Sequence, residues 1–257
     1  MSQLDTEVLI IGGGVLGAAV ARELSKYKVD VTLVDKDPDF GWGMSKASAN
    51  IVCQGGDCLE FRKEYHRSKL VWESIPLMEP LCQELSVPFK RVGELGLIKN
   101  NDHISKFIKM RARAKEWNVS EEQFIDRDTL RKMEPNLTKD AIGALFDPNV
   151  ASLDGVRFVI ALAENARQNG AKTMLNTEVV DITPGADEFE VTTNQGTIKS
   201  RYIVNAAGDR IDKIAAMVNA DDFIVVPVKA CLSILDKKVQ PVSHVIYNFP
   251  APGAEMN

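Results

Sequence analysis

Val8-Leu9-Ile10-Ile11-Gly12-Gly13-Gly14-Val15-Leu16-Gly17 is the stretch on which the fold turns. The apolar run Val8 to Ile11 matches a short parallel strand buried on both faces. Gly12 to Gly14 end it. From Val15 to about Tyr27 the apolar positions Leu16, Ala19, Val20 and Leu24 recur at helical spacing. Val29 to Val34 returns as a second strand and closes with Asp35. The whole is a strand–turn–helix–strand unit of about thirty residues.

Within it, Gly12-x-Gly14-x-x-Gly17 gives each glycine a physical task. Gly12 permits the tight turn, Gly14 lets a pyrophosphate approach the backbone, and Gly17 lets the helix pack on the strand. The helix start around Val15 and Leu16 then turns free N–H groups and partial positive charge toward the phosphates. Asp35 stands eighteen residues after Gly17, where a carboxylate can accept hydrogen bonds from ribose hydroxyls. A carboxylate there also repels a 2′-phosphate, which argues against NADP. The string alone fits many ordinary turns. With strand, helix, second strand and terminal acid in place it predicts a dinucleotide cradle, without separating FAD from NAD.

Outward from this unit, Pro38 to about Gly56 reads as a loop of small residues. A helix is expected from Leu59 to about Leu85, broken at Pro76 and Pro80. Strands are expected around Gly93, between Pro88 and Ile98. Helices follow at Asp102–Trp117 and Asp128–Met133, then a strand at Ala141–Leu145. Asp154 is a natural N-cap for a helix reaching Asn169, with Gly170 as its stop. Strand-like runs cover Lys172–Leu175, Glu178–Ile182, Phe189–Thr193, Thr197–Ile198 and Tyr202–Val204. A short helix is expected at Ile211–Val218. Phe223–Leu235 is β-forming, and no closing element is expected after Asn248.

Composition narrows the function classes. The chain has 257 residues, 45% hydrophobic and 26% charged, which is an ordinary globular balance with room for one or two domains. A net charge of −5 gives no electrostatic case for nucleic acid or an anionic membrane. Cys53, Cys58, Cys82 and Cys231 form no C-x-x-C pair, and His66, His103 and His244 are the only histidines, so zinc is not indicated. Such cysteines fit free thiols in a reducing cytosol. The start Met-Ser-Gln-Leu-Asp-Thr-Glu lacks the basic region of a secretory signal, and Val8–Ile11 is far short of a membrane span. The expected location is cytoplasmic, with peripheral attachment to the inner membrane face left open.

Three further segments, in order, make the chain resemble the D-amino-acid oxidase (DAO) superfamily of FAD enzymes. Gly41-Trp42-Gly43-Met44-Ser45-Lys46-Ala47-Ser48-Ala49-Asn50 resembles the small-residue loop that follows the βαβ unit. Glu178-Val179-Val180, after the Asp154–Asn169 helix, resembles the strand whose valine backbone meets the adenine. Tyr202-Ile203-Val204-Asn205-Ala206-Ala207-Gly208 resembles the strand and turn that close over the cofactor. Within the superfamily the likeness is to the glycerol-3-phosphate dehydrogenase and L-2-hydroxyglutarate oxidase group, through Met44–Ala47, Met133–Asn136, Pro227–Lys229, Ser233–Lys237 and His244–Pro250. The sequence departs from that group at Cys53, where histidine is usual, and at Ala230-Cys231, where Gly-Glu is usual.

The resemblance implies an α/β fold: a Rossmann-like FAD-binding domain of residues 1–75 and 150–218, interleaved with an α+β substrate domain of residues 76–149 and 219–257. It implies FAD as cofactor, held by Gly12, Gly14, Val15, Leu16, Gly17, Asp35, Lys36, Met44, Ser45, Val179, Ala206, Ala207 and Gly208. It implies an oxidoreductase that takes a hydride from a small hydroxy acid or a glycerol-3-phosphate-like substrate, with an amino acid as the alternative. Electrons would pass to a quinone, an acceptor protein or oxygen. Family members continue beyond the point reached by Asn257, so the chain reads as part of a longer enzyme, or as a non-catalytic flavoprotein-like subunit. No residue is assigned as catalytic. Lys229 and Arg91 are candidates for an anionic substrate group, each weighed against a solvated role. Cys53 with Cys58 is weighed as a redox pair against unrelated thiols, and His66 as catalytic against a surface histidine. Lys106, Lys109, Arg111, Arg113 and Lys115 fit a solvated helix face.

Overall fold

The computed structural model describes residues 2–53, 65–117, 122–229, 231–236 and 238–248. Two compact units emerge, Met1–Ala49 with Asp154–Leu232, and Asn50–Leu153 with Ser233–Asn257. They divide at 49/50, 153/154 and 232/233, where the sequence reading set boundaries at 75/76, 149/150 and 218/219.

The first unit is built on a six-stranded sheet. Its strands are β1 (Ser2–Ile11), β2 (Val31–Val34), β9 (Lys172–Met174), β10 (Val179–Pro184), β11 (Phe189–Thr193) and β12 (Gly196–Asn205), in the order β10-β11-β12-β1-β2-β9. β1 runs parallel to both β12 and β2, and β2 parallel to β9. β10, β11 and β12 form an antiparallel meander. Leu9, Ile11 and Val34 share a core with Val179, Ile182, Val191, Ile198 and Ile214. Ile10 and Leu33, register partners, point to the opposite face and are also fully buried. Burial on both faces is why Val8–Ile11 shows no alternation. Each such side chain contributes about 1.5–3 kcal/mol.

α1 (Val15–Leu24) and α5 (Gly155–Gln168) pack against each other. Ala18 and Ala21 of α1, and Phe158, Val159, Leu162, Ala163 and Ala166 of α5, form their buried sides. Asp154 caps α5, its carboxylate accepting from the Arg157 N–H at 3.1 Å, and Gly170 follows with φ +102°, both as the sequence requires. A short 3-10 turn, Met44–Ala47, lies in the loop expected between Pro38 and Gly56, and α6 (Ile211–Ala216) ends the fold of this unit.

The second unit holds a four-stranded sheet, β13-β5-β7-β6, and a three-stranded one, β3-β8-β4. The strands are β3 (Ile51–Val52), β4 (Phe89–Arg91), β5 (Glu94–Ile98), β6 (Gln123–Asp126), β7 (Gly143–Asp147), β8 (Ala151–Leu153) and β13 (Val245–Asn248). Its helices are α2 (Tyr65–Glu84), α3 (Asn101–Trp117) and α4 (Arg127–Met133). Leu95, Leu97, Leu130, Ala141 and Ala144 form one buried cluster, and Ile98, Phe107 and Leu145 another.

Four expectations differ from this structure. α2 runs unbroken through Pro76 and Pro80. A proline removes one i→i−4 bond and can kink a helix without ending it. Thr197–Ile198 and Tyr202–Val204 are one strand, since parallel pairing with β1 carries the backbone across the polar residues between them. Among the described residues of Phe223–Leu235 no strand forms: Ile224, Val226, Val228 and Ile234 are exposed, and β-forming side chains make no strand without a partner ladder. β13 forms instead, by parallel pairing with β5.

Candidate functional site

A cavity of about 850 Å³ opens in the first unit, at the carboxyl ends of β1 and β2. That is where open α/β sheets receive ligands, and the volume suits one. Gly12, Gly14, Val15 and Leu16 line it at the start of α1, and Asp35 and Lys36 at the end of β2. Met44 and Ser45 come from the 3-10 turn, Val179 from β10, and Ala206, Ala207 and Gly208 from the turn after β12. Of the thirteen residues named from sequence, only Gly17 is not on the cavity wall; it is buried behind it.

The glycines divide by task. Gly12 has φ +109°, and a Cβ there would run into the Ala206 carbonyl. A Cβ on Gly17 would collide with the Gly12 carbonyl oxygen. Both positions therefore serve the fold: helix, turn and β12 meet too closely for any side chain. Gly14 differs. Its φ of −76° suits any residue, and its Cβ would meet only the Ser45 hydroxyl, at 3.2 Å. Its missing side chain keeps the cavity floor open.

Ser45 caps α1 across thirty residues of chain, its hydroxyl oxygen accepting from the Val15 N–H at 3.0 Å. Gly14, the N-cap, has no side chain with which to do this. Intrahelical bonding begins with Ala18 N–H to the Gly14 carbonyl, at 2.9 Å, so the first turn of α1 faces the cavity. Three basic residues, Lys36, Arg210 and Lys213, and four acidic ones, Asp35, Asp37, Glu178 and Asp209, line the cavity. Side-chain charges therefore supply no net positive wall. The attraction for a phosphate falls to the oriented N–H groups of α1.

Asp35 does more than end β2. One carboxylate oxygen accepts from the Gly13 N–H at 2.5 Å and the other from the Asp37 N–H at 2.8 Å. Burial raises its pKa above the ordinary aspartate value, against the lowering effect of these two N–H groups. The carboxylate thus fixes the glycine turn and keeps further lone pairs for a ligand hydroxyl. Lys36 pairs with Asp37 at 3.1 Å. On the opposite side, the Ala206 N–H donates to the Ile11 carbonyl at 2.8 Å, and Asn205 Nδ2 to the Ile211 carbonyl at 2.8 Å. Gly208 takes φ +61°, and its would-be Cβ lies 3.3 Å from Met44 Cε.

Sequence reading missed Trp42, Thr177, Glu178, Asp209, Arg210 and Lys213 on the wall. Trp42 and Glu178 lie within recognised segments but were not singled out, and Thr177, Asp209, Arg210 and Lys213 stand within a few residues of such segments. Among the described residues, none of the other candidates lines this cavity. Arg91 is committed to Glu79, at 2.9 Å. Lys106, Lys109 and Lys115 are exposed, as a solvated face requires, and Lys229 is exposed too. Cys53 is half-buried in the second unit. Cys58 and residues 249–257 lie outside the described residues, as do the side chains of His66, Arg111 and Arg113. Among the described residues no cluster of His, Cys, Asp or Glu could hold a metal, and no helix is long and apolar enough to cross a membrane.

Comparison with known proteins agrees with this geometry. The chain is 35% identical over 246 residues to a glycerol 3-phosphate dehydrogenase of Caloramator mitchellensis, covering 95% of this chain and 51% of that one. The structure superposes on L-alpha-glycerophosphate oxidase of Mycoplasma pneumoniae, reduced and with FAD bound, with a TM-score of 0.77 at 27% identity, covering 87% of this chain and 59% of that one. It superposes on glycine oxidase of Geobacillus kaustophilus with a TM-score of 0.75 at 26% identity, covering 84% and 58%. The chain thus spans about half to three fifths of the length of these relatives. A dinucleotide cradle closed by a second small-residue turn is what this family's cofactor needs, and the match of residues 7–255 to the family model establishes that the chain belongs to the FAD dependent oxidoreductase (DAO) family.

Proposed function

We propose that the first unit holds FAD and the second belongs to the substrate domain of a dehydrogenase or oxidase. Its substrate would be glycerol 3-phosphate or a small hydroxy acid. The observation that carries the cofactor part is the cavity at the ends of β1 and β2, with Gly14 leaving its floor open beneath the start of α1. The 35% identity to a glycerol 3-phosphate dehydrogenase supports the substrate part.

Bound flavin supplies a two-electron acceptor for a hydride from a substrate C–H bond. The chain's own residues bind and orient. The first turn of α1 offers N–H groups to the pyrophosphate. Asp35 holds the glycine turn and offers its remaining lone pairs to ribose hydroxyls. Val179 of β10 would border the adenine, and Ala206 to Gly208, with Met44, would form part of the wall around the cofactor. Electrons would leave to a quinone, an acceptor protein or oxygen.

Anaerobic addition of glycerol 3-phosphate to the flavin-loaded protein should bleach its visible absorbance. Bleaching by glycine instead would favour a second reading, oxidation of an amine, for which the superposition on glycine oxidase is the supporting observation. Full flavin loading with no bleaching by glycerol 3-phosphate, by small hydroxy acids such as 2-hydroxyglutarate, or by glycine would contradict both.

A further inference from the structure

We propose that Trp42 forms the adenosine-side wall of the dinucleotide site, with Lys46 holding its ring, and that it sets affinity for a nucleoside diphosphate. The inference rests on the cofactor reading above and deepens it.

Trp42 lines the cavity and is yet 50% exposed. A tryptophan left half in water on a concave wall is a surface for a ligand to cover. Its position is fixed by backbone bonds. The Gly41 N–H donates to the Gly13 carbonyl at 2.8 Å, and the Lys46 N–H donates back to the Gly41 carbonyl at 3.0 Å. Gly13 is in turn bonded to Asp35. Gly41 takes φ +71° close against Val159 of α5. The loop is thus folded onto the glycine turn, and Trp42 follows directly from its anchor. Gly13 thus ties this loop and Asp35 to one turn, and on the inference Trp42 stands with Asp35 on the ribose side of the pyrophosphate path.

The ring is also restrained. Lys46 Nζ lies 3.8 Å from its centroid, a cation–π contact. A ring already held by a cation loses little freedom when a base or ribose packs against it. Aromatic packing of this kind accepts any base, so it selects for the adenosine half as a shape and leaves the flavin end untouched.

Titration of the intact chain with ADP, FAD and FMN, followed by indole emission and by calorimetry, tests this. Trp72 and Trp117 remain as internal controls. ADP and FAD should change the emission of the wild-type protein saturably, and FMN, which lacks the adenosine half, should not reproduce the ADP effect. Trp42→Phe should abolish the ADP-dependent change. Trp42→Leu should raise the Kd for both ADP and FAD about tenfold. Lys46→Met should raise both by a smaller factor, roughly threefold. Urea midpoints of the three variants should match wild type, because the side chain is half exposed. Persistence of the ADP-dependent change in Trp42→Phe, or a Kd within about twofold of wild type in Trp42→Leu, would overturn the inference while the cofactor reading stands. Wild-type protein that binds neither ADP nor FAD would overturn both.

Discussion

Gly14 and Gly17 look alike in the sequence and do different work. A Cβ on Gly17 strikes the Gly12 carbonyl, so Gly17→Ala should destabilise the fold by about 1–3 kcal/mol, read from urea denaturation. A Cβ on Gly14, at a φ that valine adopts, would meet only the Ser45 hydroxyl, at 3.2 Å, and press it away from the Val15 N–H it caps. Gly14→Val should therefore lose no more stability than the Ser45 cap supplies, about 1 kcal/mol by its urea midpoint, and still lose FAD, its Kd rising about 100-fold, or 2.7 kcal/mol. The spacing of the fingerprint already divided the glycines, Gly17 to packing and Gly14 to the ligand; what it did not show is that Gly12 is closed in by the Ala206 carbonyl, almost two hundred residues away. Glu134 shows the same limit. In the sequence it is part of a short resemblance, Met133–Asn136. In the structure it is 2% exposed and its Oε1 accepts from Ser243 N–H at 2.6 Å, His244 N–H at 2.9 Å and His244 Nδ1 at 2.6 Å. Burial works to raise its pKa, but these donors outweigh it and hold the carboxyl below the ordinary glutamate value. The stabilisation is thus present above the ordinary glutamate pKa and lost as pH falls through the lowered one. Glu134→Ala should cost about 2–3 kcal/mol at neutral pH, and the gap from wild type should close in acid, as denaturation at several pH values would show.

At the scale of elements, caps and pairing decide what local pattern leaves open. The α5 start was readable because Asp154 precedes the apolar run, and Asp154→Ala should cost about 1 kcal/mol in a denaturant melt. The α1 start was only half readable. The glycine at its N-cap leaves the capping to Ser45, a long-range partner that no local rule identifies. Ser45→Ala should weaken α1 by about 1 kcal/mol and lower FAD affinity together, a coupling that calorimetry and melts on one variant would reveal. Strand pairing is long-range in the same way. Phe223–Leu235 has the composition of a strand and no partner among the described residues, whereas Val245–Asn248 finds β5 and becomes one.

For the molecule as a whole, the family and its cofactor followed from motifs in the right order, and the parallel βαβ core appeared where that order put it. The substrate did not follow: Cys53 departs from the group's pattern, and Arg91 is already paired with Glu79. The cavity beside α1 is proposed as the FAD site, with Gly14 leaving it open to the pyrophosphate. Calorimetric titration of FAD into wild-type protein and Gly14→Val tests it most directly. One FAD should bind per wild-type chain, and Gly14→Val should lose that binding while its urea midpoint falls by no more than the Ser45 cap supplies, about 1 kcal/mol. Equal FAD affinity in the two proteins would contradict it.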